Sequence, residues 1–273
     1  MAINVSGDIL CLANEIAKRY ETPIPLLDIA EEELIRVICD DYGGTTFDGL
    51  TWFEAETDDF FIHLNTNRTR NNKPESVKGR FTLAHELGHY FIPHHRMGLM
   101  NGELKPHGSI NFLTNQSAWQ LERDADAFAS NLLMPTISVA ELIKGRRFDF
   151  SVIEEIAEKY NVSKSAAALR FADIGNTPIM AVYAMDGKIQ WVSRSGDFPF
   201  WRLRYGSGKG DRVPENTVMG TFFYEQDNSD CRQEEMVRAG DCFDTRREED
   251  NNREFIEWCI NYQNKAFSVF WEK

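Results

Sequence analysis

The stretch His85-Glu86-Leu87-Gly88-His89, inside RFTLAHELGHYFIPH at residues 80–94, decides how this chain is read. At 3.6 residues per turn, positions i and i+4 stack on one helix face, so His85 and His89 can share a single metal ion. Glu86 lies about a hundred degrees round the helix from His85, placed to take a proton from an attacking water rather than to act as a ligand. The neighbouring Phe81, Leu83, Ala84, Leu87, Gly88 and Phe91 are apolar or small, which predicts a buried helix started near Pro74-Glu75 and stopped by Pro93. Residue types and spacing together predict a zinc hydrolase centre.

A catalytic zinc normally takes three protein ligands and keeps one position open. There are two candidates for the third. His95 lies six residues beyond His89, the spacing of HExxHxxGxxH sites, but Ile92 stands where that pattern needs its turn glycine. Glu122 is better placed. Residues 121–134, LERDADAFASNLLM, carry Leu121, Ala125, Phe128, Ala129, Leu132 and Leu133 at helical spacing, which predicts a second amphipathic helix closed by Pro135. Ala125 and Ala129 keep its face small enough for close approach to the first helix. Glu122 could then reach the metal, and Asp126 could accept the outer ring N–H of a ligating histidine.

RFTLAHELGHYFIPH followed by LERDADAFASNLLMP resembles the signature of the ImmA/IrrE family of bacterial and phage metallopeptidases, and the resemblance covers roughly residues 6–175. It also takes in an early helix, the Pro23-Ile24-Pro25 start of a second one, and paired aromatic strands ending at Asn65. Carried over residue by residue, it implies His85, His89 and Glu122 as ligands of one Zn2+, with Mn2+ as the other divalent candidate, and Glu86 as catalytic base. It further implies a site-specific endopeptidase whose protein substrate is a helix-turn-helix repressor, cleaved to switch on a stress or mobile-element response. The competing expectation is a non-catalytic DNA- or protein-binding regulator whose metal site is structural or vestigial.

Composition is consistent with an intracellular regulator. The 273 residues are 42% hydrophobic without an apolar run of membrane length. MAINVSGDIL lacks the basic start and apolar core of a secretion signal, and Ser6 with Asp8 reads as the cap of a helix, so the expected location is cytoplasmic. Five cysteines, at 11, 39, 231, 242 and 259, form no CxxC pair, which argues against a Cys-rich zinc site. A net charge of −13 disfavours direct DNA binding and favours a basic protein partner. All six histidines precede Pro135, so imidazole chemistry belongs to the N-terminal part. Tyr90, His94, His95 and His107 are eligible to stabilise an oxyanion.

The expected fold class is α+β, with a mostly helical peptidase domain at 1–135, a helix-turn-helix-like unit at 136–175 and a C-terminal α+β domain at 176–273. TWFEAETDDFFIHL, residues 51–64, predicts a hairpin at the edge of a small sheet, onto which an extended substrate could add. Ser151 and Glu154 read as a capping box opening IAEKYNVSKSAAALRF, which resembles a helix-turn-helix; its Glu154, Glu155 and Glu158 suit packing between domains better than reading DNA. Beyond Asn176, Asp186-Gly187 predicts a hairpin turn, and Phe198–Tyr205 and Val218–Tyr224 read as strands. EFIEWCINYQNKAFSVFW reads as a short helix followed by a strand. Three-domain members of the family end in a GAF-like sensory domain, and the resemblance extends that expectation to this tail.

Overall fold

The computed structural model describes residues 7–43, 47–67, 72–104, 116–225 and 232–273. Ser6, His107 and Cys231 lie outside them. The chain is mixed α+β and divides into two compact units, Met1–Val139 with Ile156–Ser163, and Ala140–Glu155 with Lys164–Lys273.

In the first unit, α1 (Gly7–Ala17) and α2 (Leu26–Glu32) precede a three-stranded sheet of β1 (Arg36–Asp40), β2 (Gly49–Glu54) and β3 (Asp59–Asn65) in the order β1-β3-β2. β1 runs parallel to β3 and β2 antiparallel to it. β3 is central, so its Ile62 and Leu64 are fully buried. The sequence reading of a hairpin over 51–64 matches β2 and β3.

The sheet carries α3 (Val77–Phe91), which packs against α5 (Gln116–Leu133). Pro74-Glu75 does not open α3. Ser76 caps it, its hydroxyl accepting from the Gly79 amide at 3.1 Å. Pro93 does not merely stop it either, because after Ile92 it occupies the first turn of α4 (Pro93–Met100), where its missing N–H costs nothing. The close approach of α3 and α5 rests on small residues. A Cβ on Gly88 would lie 3.3 Å from the Ala125 Cα, and Ala125 and Ala129 are fully buried.

The helices α6 (Thr136–Ile143), α7 (Phe150–Tyr160) and α8 (Lys164–Ile174) follow, with Asn161 at φ 50° in the turn before α8. The Ser151 capping box does not form. The Asp149 carboxylate instead accepts from the Ser151 amide at 2.8 Å, so the cap lies two residues earlier.

The second unit holds a five-stranded antiparallel sheet of β4 (Ile179–Met185), β5 (Lys188–Arg194), β6 (Arg232–Arg238), β7 (Glu254–Tyr262) and β8 (Lys265–Glu272), ordered β5-β4-β8-β7-β6. Asp186 and Gly187 form the expected turn with φ of 53° and 72°. Three other expectations fail in this unit. Residues 254–272 make a hairpin instead of a helix and a strand, because β7 and β8 are inner strands flanked by β6 and β4. The strand half of that reading holds in β8, while β7, read as a helix, has buried residues on both faces and so lacks the clean alternation that marks a strand.

Val218–Tyr224 is a helix, α9. Thr217 caps it by accepting from the Gly220 amide at 2.9 Å, and the buried Glu257 carboxylate on β7 accepts from the amides of Val218 at 2.7 Å and Met219 at 3.1 Å. The N–H groups of Val218 and Met219 are therefore satisfied by a residue nearly forty positions away. Phe198–Tyr205 forms turns with one bridge, Leu203 to Phe243, while Phe198 and Phe200 pack into the core beside Phe243 and Phe255.

Candidate metal centre

α3 presents His85 and His89 one turn apart, and α5 brings Glu122 to both. His85 Nε2 and His89 Nε2 are 3.2 Å apart. Glu122 places Oε2 at 3.4 Å from the first and Oε1 at 3.6 Å from the second. Three donors at the corners of a tetrahedron around an ion with bonds of roughly 2.0–2.1 Å are separated by about 3.3 Å. The two Glu122 distances run to different oxygens of its carboxylate, and one donor atom from each of the three residues lies within 4.8 Å of the other two, close enough to converge on such an ion.

The charge balance makes the same case. Burial lowers the affinity of His85 for a proton, but hydrogen bonds to Asp126 and Glu122 and the charge of Glu86 outweigh it and lift the imidazole to about 10. In the metal-free chain a proton thus supplies the positive charge that these carboxylates demand, and a divalent cation in the triangle would supply it in its place.

The outer nitrogens of the two imidazoles are also engaged. His85 Nδ1 lies 2.8 Å from Asp126 Oδ1, the contact expected from the one-turn offset of Asp126 and Glu122. His89 Nδ1 lies 3.1 Å from His95 Nδ1. His95 is fully buried, whereas His94 is exposed. His95 thus meets His89 on the side away from the triangle rather than closing it.

Glu86 is buried between α3 and β2. Its Oε2 accepts a hydrogen bond from Thr51 Oγ at 2.7 Å, and a Cβ on Gly49 would lie 2.6 Å from its Oε1. Burial raises its carboxyl to about 7, opposed by the charge of His85 and the Thr51 hydrogen bond. A carboxyl poised there can take and return a proton near neutral pH.

Sequence reasoning missed Thr51, Gly49 and Asn72. The Asn72 amide donates to the carbonyls of Asn65 at 2.8 Å and Asp48 at 3.1 Å, and its Oδ1 accepts from Thr82 at 3.3 Å, which ties the end of β3 to α3. These residues act through contacts across chain separations that no local pattern records. Of the oxyanion candidates, Tyr90 is committed elsewhere, its hydroxyl donating to Glu33 at 2.9 Å.

A family model described as the IrrE N-terminal-like domain matches residues 35–172, which span all the residues of this site. The protein named Metallopeptidase ImmA from Bacillus subtilis (strain 168) is 28% identical over 149 residues, 55% of this chain and 76% of that protein. Among solved structures, a Mycobacterium tuberculosis transcriptional regulator shares the fold with a TM-score of 0.59, covering 98% of this chain and 78% of that one at 12% identity.

Proposed function

The chain belongs to the IrrE N-terminal-like domain family, and from that premise we propose that it is a zinc-dependent, site-specific endopeptidase that cleaves a helix-turn-helix repressor and so switches on a stress or mobile-element response. The triangle of His85 Nε2, His89 Nε2 and Glu122, with Glu86 beside it, carries this reading. These three residues would hold the ion. Two imidazoles and a carboxylate suit zinc and keep a position open. When bound, the ion supplies Lewis acidity toward the scissile carbonyl and the attacking water.

Glu86 takes the proton from that water and hands it to the departing amine, with Thr51 fixing the carboxylate that does so. β2 carries Thr51 and is an edge strand of its sheet. A substrate segment that pairs with it would arrive extended beside Glu86.

A basic repressor complements the chain's net charge of −13. Among the described residues, no helix is long and apolar enough to cross a membrane; we place the protein in the cytoplasm with its substrate. The helices α7 and α8 serve in this scheme as the helix-turn-helix-like unit at 136–175, and the sheet of residues 176–273 as a sensory domain that governs the peptidase.

The test is incubation of the zinc-loaded chain with basic helix-turn-helix repressors of the source organism, with products mapped by mass spectrometry. One defined cut is expected, slowed roughly 10²–10⁴-fold in Glu86→Gln while zinc is retained. Full activity of Glu86→Gln would overturn the assignment.

A further inference from the structure

The two histidines of the HELGH motif have different partners behind them. Asp126, a carboxylate, faces His85 Nδ1, but a second imidazole faces His89 Nδ1. The His89 and His95 rings lie 5.1 Å apart at 34°, and His95 is fully buried. Two facing Nδ1 atoms at 3.1 Å hold one proton between them.

On the reading that His89 binds the ion through Nε2, its own proton must sit on Nδ1. His89 is then the donor and His95 the acceptor, and the proton of a neutral His95 is left on Nε2. We propose that His95 is a positioning residue for the metal centre, whose Nδ1 lone pair holds His89 in the tautomer and ring orientation that direct Nε2 at the ion. It touches neither the ion nor the substrate.

Its own placement is well fixed. Pro93 opens α4, Ile92 before it is fully buried, and the Arg96 guanidinium lies 4.3 Å from the Tyr90 ring centre, so α4 is anchored against α3 on both sides of His95.

The assignment decides the fate of a second cluster. His94, His95 and Asp124 bring donor atoms within 4.8 Å of one another, close enough to resemble a second metal site. With Nδ1 accepting from His89 and Nε2 protonated, His95 has no lone pair to give an ion. While His89 is loaded, this cluster takes no metal, and the clusters among the described residues hold one ion.

The experiment uses the full chain, with zinc affinity measured by chelator competition and the ligand field read from the visible spectrum of the Co2+ form. His95→Phe keeps the ring and removes the acceptor, whereas the side-chain carbonyl of His95→Gln can still accept. His95→Phe is expected to bind zinc about 10–100-fold more weakly with altered Co2+ bands, and His95→Gln to recover most of the affinity. Thermal melting of the metal-free variants separates this effect from lost packing. Imidazole nitrogen NMR of the zinc-loaded wild type needs no substitution and should show His95 protonated at Nε2. Unchanged affinity and spectrum in His95→Phe, a His95 protonated at Nδ1, or a second ion lost in His94→Ala would each overturn the inference and leave the functional reading standing. A wild type that binds no ion would overturn both.

Discussion

Replacing Thr51 by Val removes the hydroxyl that hydrogen-bonds Glu86 Oε2 at 2.7 Å and keeps nearly the same shape in a site where both residues are buried. A hydrogen bond to an ionised group contributes roughly 1.5–3 kcal/mol. At about 1.36 kcal/mol per pKa unit, its full loss would raise the Glu86 carboxyl by roughly one to two units. The hydroxyl also lies 3.0 Å from the backbone carbonyl of Glu86, so its proton is shared and the expected rise is about one unit. Infrared difference spectra of the metal-free protein, with Glu86→Gln to identify the band, would follow the carboxylic acid C=O stretch across pH. In the wild type the band should vanish as pH passes about 7, and in Thr51→Val it should persist to higher pH. An unchanged or lower midpoint in a folded Thr51→Val protein would refute the claim that this hydroxyl stabilises the ionised base.

Other substitutions probe different links. Glu257 has its carboxyl raised by burial from 4.5 to about 7, so the stability it contributes is full below the unfolded value and fades as pH rises through about 7. That loss is at most about 3 kcal/mol, and thermal melts of Glu257→Gln should fall less steeply across this window than the wild type, with a slope left over from Glu86, whose carboxyl is likewise raised to about 7. Gly220→Ala places a Cβ 2.1 Å from the Pro214 carbonyl oxygen and should lower the denaturation midpoint by an amount equivalent to about 1–3 kcal/mol; an unchanged midpoint would show that the loop before α9 yields freely. Gly49→Ala drives a methyl toward Glu86 Oε1 and Thr82 Cγ2, at 2.6 and 2.7 Å, without touching the triangle. It should keep its zinc and lose cleavage on the order of 10²-fold, and zinc loss would show instead that β2 supports the ligands.

The centre was legible in the sequence because its parts are local. HELGH and the Glu122–Asp126 pair each lie within about one helical turn, and the small Ala125 and Ala129 betray the close packing that joins them. The hairpin at Asp186-Gly187 was legible for a similar reason, since its turn conformation is set by two adjacent residues. What escaped is held from far along the chain. α9 looks like an aromatic strand until Glu257 and Thr217 satisfy its first turn. β7 lost the clean alternation of a strand because residues on both its faces are buried. Thr51 and Asn72 are ordinary polar residues in sequence, and only pairing of β2 and β3 beneath α3 brings them to Glu86 and Thr82. His95 was weighed as a ligand by its spacing, whereas the new helix α4 begun at Pro93 brings it behind His89.

The most direct test of the central claim is elemental analysis of the purified chain beside Glu122→Ala and Asp126→Ala, at matched concentration and folding. The account predicts about one zinc per wild-type chain, lost in Glu122→Ala and held about 10–100-fold more weakly in Asp126→Ala. Full zinc retention in Glu122→Ala, or no metal in the wild type, would contradict it.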